Sequence, residues 1–201
     1  MKQKVRFFRQ HSLETCGISC ILMVLHSMGK LQYPTAKQER KLYEIYRCRA
    51  FKGTLGAAIA DCLTRNRLSV TLFHSSCRYL DNRDMYYPEA LYQALRKEYA
   101  EGVEALRGTA AGVETGCRFS SQWYREQLEA QRMLIVQCVV SGNADGMHDR
   151  TLHWILVYGY EEDAFLACDP LSGKIRLTEK EMEYYTDTPV GSICISVGGG
   201  A

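Results

Sequence analysis

The chain has 201 residues, 46% of them hydrophobic and 24% charged, with a net charge of +2. That is the composition of a soluble globular protein of about one domain, long enough to bury roughly 70% of its unfolded surface. The basic residues are scattered, which argues against a nucleic-acid binder, and the longest apolar runs, at 18–25 and 134–140, fall well short of the roughly 18 residues of a membrane span.

The N-terminus, Met1-Lys2-Gln3-Lys4-Val5-Arg6, is basic but lacks an apolar segment directly behind it, so a secretory signal is not expected. Residues 5–9 read as a short extended segment. Residues 14–29 read as a helix apolar on most sides, and therefore buried and central. Ser12 or Thr15 is placed to cap its start, Gly29 to end it, and Cys16 falls in its first turn. Further helices are expected over about 35–47 and 54–66, then a strand over 69–73. From about 77 to 132 the character changes. Pro88 opens a helix to about residue 97, residues 108–116 read as a small-residue linker, and a helix over 120–128 carries a Ser–Glu pair suited to a capping box. The last third is strand-rich, with strands expected over 134–140, 153–160, 164–168, 174–177 and 192–197 and a short helix opened by Thr178 with Glu181 three residues on. Helices first and antiparallel strands later predict an α+β fold, a central N-terminal helix packed on a C-terminal antiparallel sheet.

Nine cysteines, an odd number, are spread through the chain and mostly sit in apolar runs. They read as free thiols in a reducing compartment. No histidine spacing completes a zinc site around Cys16 and Cys20, so neither a metal nor another cofactor is expected.

A nucleophilic cysteine must be a thiolate, and a helix N-terminus favours that form. Cys16 occupies such a place, followed by Gly17, where a missing side chain would let a substrate backbone approach. Among five histidines, His153 begins the strongest strand beside a Gly-containing loop, and His148 is its nearby competitor. Asp169 ends the strand after that of His153. If the two strands pair through the turn at 161–163, both residues lie near one end of the sheet. Read one at a time, a packed cysteine, an edge histidine and an Asp-Pro turn opener account for the same residues.

Three motifs taken together resemble the C39 peptidases, papain-like enzymes that cut peptide leaders after a double-glycine site. Gln10-His11-Ser12-Leu13-Glu14-Thr15-Cys16-Gly17 resembles their nucleophile motif, with Gln six residues before Cys. Leu152-His153-Trp154-Ile155-Leu156-Val157-Tyr158-Gly159-Tyr160 resembles their base strand, and Cys168-Asp169-Pro170-Leu171-Ser172-Gly173 their Asp-Pro turn. The resemblance covers roughly residues 5–75 and 133–197 and implies a papain-like fold in a single domain over 1–201. It implies Cys16 as nucleophile, His153 as base, Asp169 as the group orienting the imidazole, and Gln10 at the oxyanion hole. Gly17 and Trp154 would lie along the substrate. The region at about 77–132 has no counterpart in the compact C39 domain and reads as a helical insertion that shapes a substrate site, forms a lid or holds a protein partner. The expectation is a cysteine peptidase acting on a peptide or protein through a thioester, after small residues such as Gly-Gly. The alternatives are a papain-like acyl or peptidyl transferase with the same triad, or a catalytically silent binding module. Its compartment would be the reducing cytoplasm, of the producing cell or of a cell that receives it as an effector. The terminal Gly198-Gly199-Gly200 matches what a double-glycine cleft accepts and suggests a self-docking tail.

Overall fold

A computed structural model of the chain describes residues 3–75, 88–141, 150–187 and 192–199. His148, Cys77 and the start of the expected insertion lie outside the described residues. Helices α1 (Cys16–Ser27), α2 (Ala36–Tyr46) and α3 (Gly56–Arg65) come first, then strand β1 (Ser69–His74), helix α4 (Glu89–Arg107), strand β2 (Gly112–Glu114) and helix α5 (Ser121–Glu129). Strands β3 (Met133–Ser141), β4 (Arg150–Glu161), β5 (Ala164–Asp169) and β6 (Gly173–Thr178) follow, then helix α6 (Glu179–Thr186) and strand β7 (Ile193–Gly198). The strands form one seven-stranded sheet in the order β2-β1-β7-β3-β4-β5-β6, antiparallel except for the β1–β2 pair. No helix among the described residues is long and apolar enough to cross a membrane.

The sheet is apolar on both faces because its strands are almost continuously hydrophobic. On one face α1, α3 and α4 cover Trp154, Leu156 and Tyr158 of β4. On the other, α5 and α6 cover Ile155 and Val157. Helix α1 is buried from Cys16 to Leu25, as its all-round apolar sequence requires.

The region read as an insertion departs from expectation in three ways. Helix α4 runs on to Arg107, because apolar residues recur at Tyr92, Leu95, Tyr99 and Leu106 on one face, all buried in the main core. The expected linker contains β2, which extends the sheet by pairing in parallel with β1. At α5, Ser120 caps Trp123 N–H without a glutamate partner; the complete capping box is at α6, between Thr178 and Glu181. Strand β4 begins three residues before His153, at Arg150.

The β4–β5 hairpin decides where the candidate site forms. Glu162 and Asp163 both have positive φ, 50° and 57°, and the turn closes on the Glu161–Ala164 pair. Between Val157 and Gly159 the register slips by one residue. Before the slip Gly159 pairs with Leu166; after it Leu156 pairs with Cys168. Carried one step on, that register sets Asp169 opposite Ile155, on the face shared by Ile155 and His153. Without the extra residue Asp169 would oppose Leu156 and point to the other face. Strand β7 leaves the sheet at the far end from this site. Val197 pairs with Met133 while His153 pairs with Cys138, about 17 Å along β3 at strand rise.

Candidate active site

Cys16 is the first residue of α1 and is buried, with 6% of its surface exposed. Neither Ser12 nor Thr15 caps the helix as the sequence suggested. The Thr15 hydroxyl is turned to the Ser12 carbonyl at 2.8 Å and to Glu39 at 2.5 Å, and α1 has no side-chain cap. Helices α2, α5 and α6, by contrast, are capped by Thr35, Ser120 and Thr178. The N–H groups at the start of α1 are therefore not claimed by its capping residue, and the positive end of the helix faces the thiol.

His153 Nε2 lies 2.8 Å from Asp169 Oδ1. That leaves Nδ1 as the ring nitrogen for the Cys16 sulfur, which lies near enough to the imidazole to raise it. Burial opposes protonation of the ring, but the bond to Asp169 and the neighbouring Cys16 outweigh it and push the imidazole up to about 9. Asp169 is held in turn. Its Oδ1 accepts from Leu171 N–H at 2.8 Å and its Oδ2 from the Ser172 hydroxyl at 2.6 Å. Burial opposes its ionisation, yet the bonds from His153, Ser172 and Leu171 hold the carboxyl well below the usual carboxylate range. Among the other described histidines, His11 is bound to Glu39, His26 faces the Leu31 carbonyl, and His74 is buried against Tyr99. The other seven described cysteines are free thiols pushed up by burial. Cys16 is thus the described thiol that meets an imidazole.

Gln10 is stitched to the Asp169 turn. Its backbone N–H donates to the Pro170 carbonyl at 3.0 Å, and the neighbouring Arg9 guanidinium donates to Leu171 O at 3.1 Å. Its side-chain Nε2 donates to Ser12 O at 2.9 Å while its buried Oε1 has no partner. The reverse orientation would set two oxygens against each other, so Nε2 faces Ser12 and has one further N–H to give.

Gly17 and Trp154, expected to line the substrate, are placed in the interior. A Cβ on Gly17 would come within 3.0 Å of Ile59 Cδ1 and 3.2 Å of Thr54 Cβ and Trp154 Cδ1. Trp154 is 4% exposed and donates its indole N–H to Thr54 O at 2.9 Å. Their contact sets α1 against β4, and so Cys16 against His153.

Glu39 on α2 was not legible in the sequence. It is 2% exposed, and one oxygen accepts from His11 N–H at 3.0 Å, Thr15 Oγ1 at 2.5 Å and Ser19 Oγ at 3.2 Å; the other lies 2.6 Å from His11 Nδ1. One buried carboxylate thereby fixes the residue after Gln10 and the residue before Cys16. Within the charged run Lys37-Gln38-Glu39-Arg40-Lys41, nothing marks it as different from a solvated glutamate.

No family model matches this sequence, and no curated protein matches it. Among solved structures the chain is similar to the double glycine motif protease from an AMS/PCAT transporter, determined in complex with the leader peptide. The two share 15% identity, over 98% of this chain and 92% of that one, with a TM-score of 0.50. It is also similar to a Bacillus anthracis chain assigned as a C39-like peptidase, at 9% identity over 99% of this chain and 96% of that one, with a TM-score of 0.54. The fold is that of the C39, papain-like peptidase domains.

Proposed function

We propose that the chain is a single-domain cysteine peptidase of the C39 type that cleaves a peptide substrate through a thioester on Cys16. The observation that carries this is the line of buried Cys16, buried His153 and half-buried Asp169, with the imidazole pushed up to about 9 between a thiol and a carboxylate. Such a ring stays charged near neutral pH beside the nucleophilic sulfur. The Cys16 sulfur adds to the scissile carbonyl. Oxygen takes the negative charge against the Cys16 backbone N–H and the free N–H of Gln10. The tetrahedral species collapses by breaking the C–N bond, and His153 gives its proton to the departing amine. Water then attacks the thioester, its proton passing to His153, and the thiolate is released. Gly17 and Trp154 serve by packing the helix to the strand. We place the protein in a reducing compartment, because its described cysteines are free. The protease–leader complex among the similar structures supports a peptide substrate, and small residues before the cut follow from the same likeness.

The test is mass spectrometry of a lysate-derived peptide library after incubation with wild type and with Cys16→Ala. Cuts confined to wild type are expected. Acyl adducts on Cys16 without cut peptides would replace hydrolysis with transfer to a missing amine. Neither cuts nor adducts would leave a binding module.

A further inference from the structure

The chain between α2 and α3 is held from outside by α4. That helix packs closely on α3, where a Cβ on Gly102 would come within 3.1 Å of the Ala57 Cβ. One turn earlier on the same face, Glu98 reaches the segment that joins α2 to α3. Its Oε1 accepts from Arg49 N–H at 2.8 Å, and its Oε2 accepts from Ala50 N–H at 3.1 Å and from the Cys48 thiol at 3.3 Å. Burial, and then the bond to Glu98, pushes that thiol up to about 11, so it stays a donor. The Glu98 side chain is 17% exposed, and bonds to a carboxylate are roughly twice as strong as neutral ones. The segment is also closed on itself, with Cys48 N–H donating to the Gly53 carbonyl at 2.9 Å.

The other end of this segment meets the nucleophile. Buried Thr54 accepts the Trp154 indole N–H on its carbonyl at 2.9 Å, and its Cβ stands 3.2 Å from where a Gly17 Cβ would be. Lys52 Nζ lies 3.2 Å from Glu14 Oε1. Glu14 is two residues before Cys16 and Gly17 is one after it, so the segment touches the chain on both sides of the sulfur. Lys52 is 83% exposed, which makes its ion pair weak; Thr54 carries the link. We propose that Glu98 is a positioning residue of the peptidase. It holds residues 48–54 so that Thr54 fixes the start of α1 against β4, and with it Cys16 against His153. For its effect on turnover this rests on the peptidase reading of the Cys16–His153–Asp169 line. It gives the region read from the sequence as an insertion a part in catalysis that is neither lid nor partner site.

The test is a double-mutant cycle of Glu98→Ala and Trp154→Phe, which release the two ends of the segment, assayed on a peptide cut in the library experiment. Glu98→Ala is expected to lower kcat by about 10- to 100-fold with KM little changed. In the Trp154→Phe background, where Thr54 is already released, the same change is expected to cost much less. Glu101→Gln, which loses only surface ion pairs to Arg49 and Lys97, is expected to leave both constants unchanged. If Glu98→Ala does not fold, Glu98→Gln is measured in its place. Its amide group faces Arg49 N–H in one orientation and Ala50 N–H in the other, and the expected loss in kcat is about 3- to 10-fold. A kcat unchanged by the Glu98 variant, or lowered by the same factor in both backgrounds, would overturn the positioning role and leave the peptidase standing. If wild type makes no Cys16-dependent cut, the peptidase reading fails, and carboxymethylation of Cys16 by iodoacetate decides the positioning role alone. A slower reaction in the Glu98 variant would uphold it, and an equal rate would overturn it.

Discussion

Asp169→Asn separates the charge of the orienting residue from its shape. An asparagine keeps an oxygen for His153 and Leu171 N–H, and its amide can donate to the Ser172 hydroxyl, which turns to accept. What is lost is the negative charge that, together with the Cys16 sulfur, offsets the burial of the His153 ring. With it gone, burial is opposed by Cys16 alone, and the imidazole falls from about 9 towards its ordinary 6.5. A fall the whole way is worth about 3 kcal/mol. At pH 8 it takes the ring from mostly charged to a few per cent charged, a loss of up to about 30-fold in the charged imidazole. Iodoacetate reads this directly, since its carboxylate is drawn to an imidazolium beside the attacking sulfur. Carboxymethylation of Cys16, followed by peptide mapping between pH 5 and 10, should decline in wild type as pH passes about 9. In Asp169→Asn the decline should move down from about 9 towards 6.5. A decline that stays near 9 in the variant would refute the assignment of the raised imidazole to Asp169.

Three further outcomes follow from the packing and the buried charges. Gly17→Ala inserts a methyl 3.0 Å from Ile59 Cδ1; it should lower stability by about 1–3 kcal/mol, read as a urea midpoint, with Ile59→Val recovering part of the loss. Glu39→Ala strands buried donors on both sides of the site; it should reduce kcat by about 10- to 100-fold with KM little changed, while Glu39→Gln, whose amide oxygen can accept from His11 N–H, Thr15 and Ser19, retains most of the activity. Equal losses in the two variants would mean that the charge itself is needed. Stability should peak near pH 6.5. The His153 contribution, from a folded value raised to about 9, is full below 6.5 and lost as pH rises through 9. His74, buried against Tyr99 and pushed down to about 4, contributes above 6.5 and loses that contribution as pH falls through 4. Each limb is worth about 3 kcal/mol, and a midpoint that is flat from pH 4 to 9 would exclude both.

What could be read from the sequence was whatever a short window encodes. The apolar run after Cys16 specifies a buried helix whose N-terminus must face something, and the β-rich runs at 134–140 and 153–160 specify strands. The pairing of His153 with Asp169 is of another kind. It needs their strands to be neighbours, which the turn at Glu162-Asp163 encodes. It also needs the two side chains on one face, which depends on a one-residue slip near Tyr158. Nothing in the run Val157-Tyr158-Gly159 announces that slip beyond the glycine itself, and counting residues without it puts Asp169 on the wrong face. The Gln10-to-Cys16 loop has the same character. Its two ends are fixed by Glu39, whose importance comes only from the burial imposed by α2 lying across the start of α1. Burial of a carboxylate is costly unless its partners are supplied. Here three hydroxyl and N–H donors and an imidazole supply them. The residues proposed to carry the chemistry are thus visible as types and spacings, whereas those that fix their relative position are visible only once distant segments meet. The sharpest test of this fold's logic is therefore at Gly17 and Glu39, which touch no substrate in the proposed mechanism and yet set the distance from Cys16 to His153 and from Gln10 to Cys16.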